Sequence, residues 1–220
     1  MEMPAAGERF LIPGPVGVLE SQLDAAKAGV RENLVNPPIA VVCHPHPLHG
    51  GTLTNKVAHT VAKSFAELGV TTLRFNFRGV GQSPGEFDQG VGEVDDLLAA
   101  VDWLRARYPE APLWLAGFSF GAYVTLSGQV RAQAERLLLV APPVAMFDFP
   151  VEGGVTIPWM VVQGGEDEIV APEQVSAWVH QQANAPEYHW MDGGSHFFHG
   201  RLIELKQTIH QAWAGSLSGK

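Results

Sequence analysis

One cysteine, Cys43, stands alone in a chain of 220 residues. A lone thiol excludes an internal disulfide framework and a cysteine-rich zinc site. Basic residues are scarce too: 14 Lys and Arg against 23 Asp and Glu give a formal charge of -9. That balance repels polyanions and argues against DNA or RNA as a partner. Charge of either sign is thin at 17%, while 46% of the chain is hydrophobic, which excludes a disordered or nucleic-acid-coating chain. No apolar run approaches the roughly 18 residues that cross a bilayer, so no membrane partner is expected. The opening MEMPAAGERF lacks the basic and apolar regions of a secretory leader. The expectation is one reduced, cytoplasmic, soluble globular domain over residues 1–220, with its oligomeric state left open.

Glycine and proline, by contrast, are plentiful at 24 and 16 residues, and many stand beside His, Ser and Asp. Such clusters mark sharp turns, and α/β enzymes place their chemistry on turns at strand ends. The rest of the pattern fits that class. Phe10–Ile12 and Val16–Leu23 flank Pro13-Gly14-Pro15 as two short strands. Ile39–Cys43 is a continuous apolar run suited to a strand covered on both faces. The following His44-Pro45-His46-Pro47-Leu48-His49-Gly50-Gly51 is too rich in Pro and Gly to be helical.

Helical spacing covers Asn55–Leu68, with Gly69 as its C-terminal glycine. Val70–Phe77 reads as a strand, and Glu93–Tyr108 as an amphipathic helix with acidic residues at its start. Strands at Leu113–Ala116, Arg136–Ala141, Ile157–Gln163 and Glu187–Met191 then alternate with helices. Those helices are predicted at Gly121–Gln133, Pro172–Asn184 and Arg201–Ala214. Alternation of this kind predicts a mostly parallel sheet of about eight strands with helices on both faces, after an opening antiparallel pair.

Gly117-Phe118-Ser119-Phe120-Gly121 matches G-x-S-x-G where a strand ends and a helix begins. The chain reverses at the serine, so the residues two before and two after must lack bulk. The turn lifts the Ser119 hydroxyl above the sheet and points a helix N-terminus at a developing anion. An ordinary Gly-rich turn is the plainer alternative for this motif by itself.

A serine needs a base, and the base needs an orienting carboxylate. On this architecture they follow the serine in the order acid, then histidine, each past a later strand. Asp167 follows Met160–Gln163 in Gly164-Gly165-Glu166-Asp167, and His196 follows Tyr188–Met191 in Asp192-Gly193-Gly194-Ser195-His196. Taken singly, Asp167 could be a turn carboxylate and His196 a solvated loop residue. Three residues in the required order, each after its own strand, point to nucleophilic catalysis. Glu166 is one residue early for the acid role, and His199 is expected to start the final helix, beyond reach of Ser119.

An oxyanion hole needs two backbone donors: Phe120, after the nucleophile, and a residue of the His44–Gly51 loop. Pro45 and Pro47 have no N–H. His46 and Leu48 remain, with His46 favoured as the first free donor. Three histidines in six residues also suggest a metal, but the prolines break helical spacing and no acidic or thiol ligand completes a set, so no metal is expected. Arg78-Gly79-Val80-Gly81-Gln82-Ser83 lacks the third glycine of a dinucleotide loop and the Gly-Lys-Ser/Thr of a P-loop. It reads as structural, with Arg78 bracing neighbouring strand ends. Cys43, within its apolar run, reads as inert core.

His-Pro-His-Pro-Leu-His-Gly-Gly, Leu-Arg-Phe-Asn-Phe-Arg-Gly-Val-Gly-Gln-Ser and Gly-Phe-Ser-Phe-Gly together resemble the α/β-hydrolases over nearly the whole chain. The resemblance is to small, lidless bacterial serine hydrolases related to the dienelactone hydrolase group. It implies a triad of Ser119, Asp167 and His196 and no cofactor. Dienelactone hydrolases proper carry a cysteine nucleophile, so serine here favours general ester cleavage. Pro142–Thr156, 15 residues, is too short for a helical cap. Its Met146, Phe147, Phe149 and Pro150 could wall a pocket with Phe118, Phe120, Trp190 and Phe197, or belong to the core. Leu48, Phe118, Phe147 and Phe197 are the substrate-binding candidates. The expected substrate is a small-molecule ester with a short acyl chain. A thioesterase, peptidase or acyltransferase would use the same residues. A non-catalytic module on this fold would carry them as relics.

Overall fold

Ile39–Cys43 shows why the apolar runs of this sequence become strands. All five residues are buried: Ile39, Val41 and Cys43 face one core, and Ala40 and Val42 the other, as the two-residue period of a strand requires. The computed structural model describes residues 4–149, 154–215 and 217; Pro150, a pocket candidate, lies outside them.

The strands are β1 (Arg9–Gly14), β2 (Gly17–Asp24), β3 (Ile39–Cys43), β4 (Thr71–Phe75), β5 (Leu113–Phe118), β6 (Arg136–Val140), β7 (Trp159–Gly164) and β8 (Glu187–Met191). They form one eight-stranded sheet in the order β1-β2-β4-β3-β5-β6-β7-β8. β1 and β2 pair antiparallel, β2 meets β4 antiparallel, and every later pairing is parallel. The helices are α1 (Lys56–Glu67), α2 (Val91–Arg105), α3 (Phe120–Gly128), α4 (Pro172–His180) and α5 (Leu202–Ala214). α1 and α5 bury their apolar stripes on one face of the sheet; α2, α3 and α4 cover the other. No helix among the described residues is long and apolar enough to cross a membrane. From β3 the chain pairs first with β4 on one side and later with β5 on the other. The carboxyl ends of β3 and β5 therefore flank the crevice where such sheets bind ligands.

Several boundaries differ from expectation, each for a local reason. α2 begins at Val91 rather than Glu93. Gly90, with φ 95°, caps it, and the Glu93 carboxylate accepts the N–H groups of Asp88 and Gly90, each at 2.8 Å. α3 stops at Gly128, and the chain leaves through Gln133 in the left-handed region. α4 stops at His180, after which Gln182 donates to the carbonyl of Trp178. β4 ends at Phe75 because Asn76 turns inward. Its side chain accepts from Leu53 N–H and donates to Glu20. The Pro/Gly stretch after β3 does contain one turn of 3₁₀ helix, Pro47–His49, with proline at its first position. Proline's fixed φ suits that position.

Arg78 braces a helix rather than strand ends: its guanidinium grips the Asp96 carboxylate of α2 through Nε and Nη2. Between β6 and β7 the described residues form neither helix nor strand, so no cap domain covers the sheet there.

Cys43 is fully buried, and that burial pushes its thiol up to about 12, which leaves it an unreactive core residue. His44 is equally buried. Its Nδ1–H donates to the Pro45 carbonyl at 2.6 Å and its Nε2 accepts Phe77 N–H at 3.1 Å, tying the exit of β3 to the exit of β4. Burial lowers its pKa to about 4. The unfolded chain takes up this proton near the ordinary value of about 6.5, so between those values the unfolded state binds more protons. Stability therefore falls as pH drops through this window, by about 3 kcal/mol from His44. His46 and His59, which burial also makes less basic, add smaller effects of the same sign. Urea unfolding should show a lower midpoint near pH 5 than near pH 7, and His44→Gln should flatten the difference. An equal slope in that variant would remove His44 as its source.

Candidate active site

The site is assembled on three strand ends. At the end of β5, Ser119 adopts φ 55° and ψ -122°, a conformation that costs a non-glycine residue energy and persists only where its surroundings impose it. Those surroundings are tight. A Cβ on Gly117 would collide with the Gly121 carbonyl, and one on Gly121 with the carbonyls of Cys43 and His44. The Ser119 N–H donates to Val140 O at 2.9 Å, anchoring the turn to β6. Phe120 opens α3, so its N–H has no intrahelical acceptor and faces outward from the helix end.

Asp167 lies three residues beyond β7, and His196 five beyond β8. The two loops are joined by their backbones. Gly165 N–H donates to Met191 O at 2.8 Å, and Glu166 N–H to Gly194 O at 2.9 Å. A side chain on Gly164 would strike the Gly194 carbonyl, which explains the glycines in both loops. The outcome is a continuous chain of bonds: His196 Nδ1 to Asp167 Oδ2 at 2.8 Å, and His196 Nε2 to Ser119 Oγ at 3.1 Å.

Asp167 Oδ1 also accepts Ile169 N–H at 2.9 Å and Val170 N–H at 2.7 Å. Burial pushes this carboxyl up, but the bonds from His196, Val170 and Ile169 outweigh it and hold the acid below its ordinary value. The aspartate is thus ionised at neutral pH and accepts the Nδ1–H of the imidazole. That leaves Nε2 as the lone-pair nitrogen facing the serine. Phe118 and Phe197 pack on the imidazole at ring-centroid distances of 5.0 and 5.1 Å, fixing its plane. Glu166 is exposed and outside this chain of bonds. His199 is exposed in the turn before α5, its N–H bonded to Ser195 Oγ, so it precedes the helix it was expected to start.

A cavity of about 600 Å³ opens over Ser119 and His196, with Phe120, Met146, Phe147, Ile169 and Phe197 among its apolar walls. His46, His49 and Asn55 are the other polar side chains of the lining, which among the described residues holds neither an acidic nor a Lys or Arg side chain. Of the substrate-binding candidates, Phe147 and Phe197 line this cavity. Phe118 does not; it is fully buried beneath the His196 ring. Leu48, 68% exposed, stands outside the lining as well. Phe149 is buried against Tyr123 and Trp178, and Trp190 bonds Asp192 away from the cavity.

In the loop after β3, Leu48 N–H donates to His46 Nδ1 at 3.2 Å. This bond occupies one of the two candidate oxyanion donors and leaves the His46 N–H as the other. His44 is thus bonded at both ring nitrogens and His46 engaged at Nδ1, so two of the three histidines serve the backbone. No grouping of three or more His, Cys, Asp or Glu suited to a metal occurs among the described residues.

Two participants escaped the sequence reading. Glu168 accepts the backbone N–H of His196 at 3.0 Å, and Gln163 donates to Asp167 Oδ2 at 3.0 Å. For Gln163 a signal existed: a polar residue closing the apolar run Met160-Val161-Val162 four positions before Asp167.

A mostly parallel α/β sheet bearing a serine on such a turn is the architecture of the α/β serine hydrolases. The chain belongs to the family described as serine aminopeptidase, S33, whose model matches residues 37–150. It is similar to the crystal structure of an α/β serine hydrolase without lid from Xanthomonas campestris. That match has 41% identity and a TM-score of 0.91 and covers 99% of this chain and 98% of the other. An α/β serine hydrolase homologue from Coxiella burnetii is 45% identical, with a TM-score of 0.89 over 96% of this chain and 99% of its own. An uncharacterized protein of Rickettsia prowazekii is 38% identical over 207 residues, 90% of this chain and 84% of its own length. Kinship with the dienelactone hydrolases rests on the sequence motifs alone.

Proposed function

We propose that this hydrolase cleaves neutral, short-chain carboxylic esters through a Ser119–His196–Asp167 triad and an acyl-enzyme intermediate. The observation that carries the reading is the unbroken chain from Asp167 to Ser119, at 2.8 and 3.1 Å, opening into an apolar cavity. His196 Nε2 takes the Ser119 proton as Oγ bonds the ester carbonyl carbon. Asp167 meanwhile holds the imidazole in the required tautomer and stabilises the cation that forms. The carbonyl oxygen becomes an oxyanion held by the N–H groups of Phe120 and His46, each worth about 3 kcal/mol. His196 then protonates the departing alcohol, and a water deprotonated by the same nitrogen releases the acid and restores Ser119. No cofactor enters these steps. The lone buried thiol of Cys43 suits a reducing, cytoplasmic setting.

Aminopeptidase activity, which the family description carries, requires a carboxylate for the substrate's α-ammonium group. Among the described residues the cavity lining offers none, since Asp167 is committed to His196. Thioesters and acyl transfer differ from ester hydrolysis only in the leaving group or acceptor. A panel of p-nitrophenyl esters, matched thioesters and aminoacyl anilides tests the reading. The expected order puts the four-carbon ester first, and the aminoacyl anilide below it by about 100-fold or more in kcat/KM. A faster twelve-carbon ester, or a faster anilide, would reverse the assignment of substrate class.

A further inference from the structure

Gln163 is fully buried at the penultimate position of β7, on the sheet face it shares with Val161. Its Nε2 donates to two acceptors, Asp167 Oδ2 at 3.0 Å and the Gly164 carbonyl at 3.1 Å. Its Oε1 is also buried and has no hydrogen-bond partner among the described residues. A buried carbonyl left without a donor weakens a fold. An apolar residue of the same size would fill the position without that cost, so the amide's donor end is the feature that accounts for glutamine here.

That donor end meets the oxygen that matters. Asp167 Oδ2 is the atom bonded to His196 Nδ1, whereas Oδ1 is pinned by the backbone of Ile169 and Val170. With Oδ1 alone held, the carboxylate plane could swing about that anchor. A second N–H on Oδ2 from Gln163 fixes the plane and with it the direction in which the lone pair faces the imidazole. Because β7 is hydrogen-bonded on both sides, by β6 and by the edge strand β8, the amide is mounted on an interior strand of the sheet, while Asp167 and His196 ride on loops. Side chains carried by strands hold a geometry better than those carried by loops.

We propose that Gln163 is a positioning residue of the hydrolytic site: its amide N–H aligns Asp167 Oδ2 on His196 without touching substrate. The inference rests on the triad reading above. Native turnover together with loss of fluorophosphonate labelling in Ser119→Ala establishes that reading separately, so failure of one is distinguishable from failure of the other.

The test uses Gln163→Met, which keeps length and volume but removes the donor. Expected is a fall of about 10- to 100-fold in kcat, the size found when the outer hydrogen-bond partner of a metal-ligating residue is removed, with KM within about twofold of native because no substrate contact is lost. The downfield proton resonance of the His196 Nδ1–H, bonded to a carboxylate, should broaden or move upfield in the same variant. Gln163→Glu serves as a second probe and covers the case in which the methionine variant does not fold. Its carboxyl, beside Asp167 and close to His196 and Glu168, donates to Oδ2 only when protonated. The ratio of its kcat to that of the native enzyme should therefore decline as pH rises. A kcat within twofold of native in Gln163→Met, or a rise in KM with kcat retained, would overturn the proposal. So would a pH-independent ratio in Gln163→Glu.

Discussion

Ser119→Ala should lower kcat on a four-carbon p-nitrophenyl ester by on the order of 10⁶, with the fold intact and fluorophosphonate labelling gone. The size of the effect follows from what is removed. On the proposed mechanism no acyl-enzyme forms without Oγ, and water would have to attack unaided in a site left with the proposed Phe120 and His46 donors and the cavity walls. The fold should survive because Ser119 Oγ makes its one hydrogen bond among the described residues to His196. The strained turn is imposed by Gly117, Gly121 and the Val140 carbonyl, and alanine meets φ 55° at much the same cost as serine. Circular dichroism and melting temperature check the fold, and burst kinetics with the probe check the chemistry. Labelling that persists in this variant would move the nucleophile elsewhere.

Asp167→Asn should cost about 10⁴ in kcat while changing KM little. The reason is a tautomer. Asn presents an N–H₂ where the carboxylate presented a lone pair, and Ile169 and Val170 already demand an acceptor at the Oδ1 position. The carbonyl end of the new amide will satisfy them, leaving Nδ2 against His196 Nδ1 and Gln163 Nε2. The imidazole must then accept at Nδ1 and carry its proton on Nε2, facing Ser119 with an N–H in place of a base. Activity on the ester should fall across the whole pH range, since no titration restores the lost lone pair. A variant within tenfold of native would show that Asp167 does not set the tautomer.

The parts of this molecule legible in the sequence are those governed by local rules. Helix α1 starts at its Asn55 cap and ends before Gly69 in the left-handed region. The G-x-S-x-G turn declares itself through glycines whose missing Cβ atoms the packing demands. Asp167 and His196 could be found because the fold fixes their order and their place after strands. Less legible were contacts between elements distant in sequence. That Arg78 would reach Asp96 on α2, that Asn76 would leave β4 for Leu53 and Glu20, and that Phe118 would sit under His196 rather than in the cavity are all decided by tertiary packing. Leu48 shows the same limit from the other side. A large apolar residue next to the site looked like a wall, yet the 3₁₀ turn that His46 caps carries its side chain into solvent.

The stretch between β6 and β7, without helix or strand in its described residues, has a kinetic meaning. Enzymes that close a helical cover over the substrate spend part of each cycle opening it, and the cover decides which molecules meet the reactive intermediate. Among the described residues no such gate is built over the serine, so entry and departure should be limited by diffusion and by the grip of the cavity walls. On the mechanism proposed above, solvent has access to the acyl carbon throughout the cycle. On that mechanism water, always at hand, should take the acyl group before a dilute alcohol or amine arrives, so that an open site favours hydrolysis over transfer.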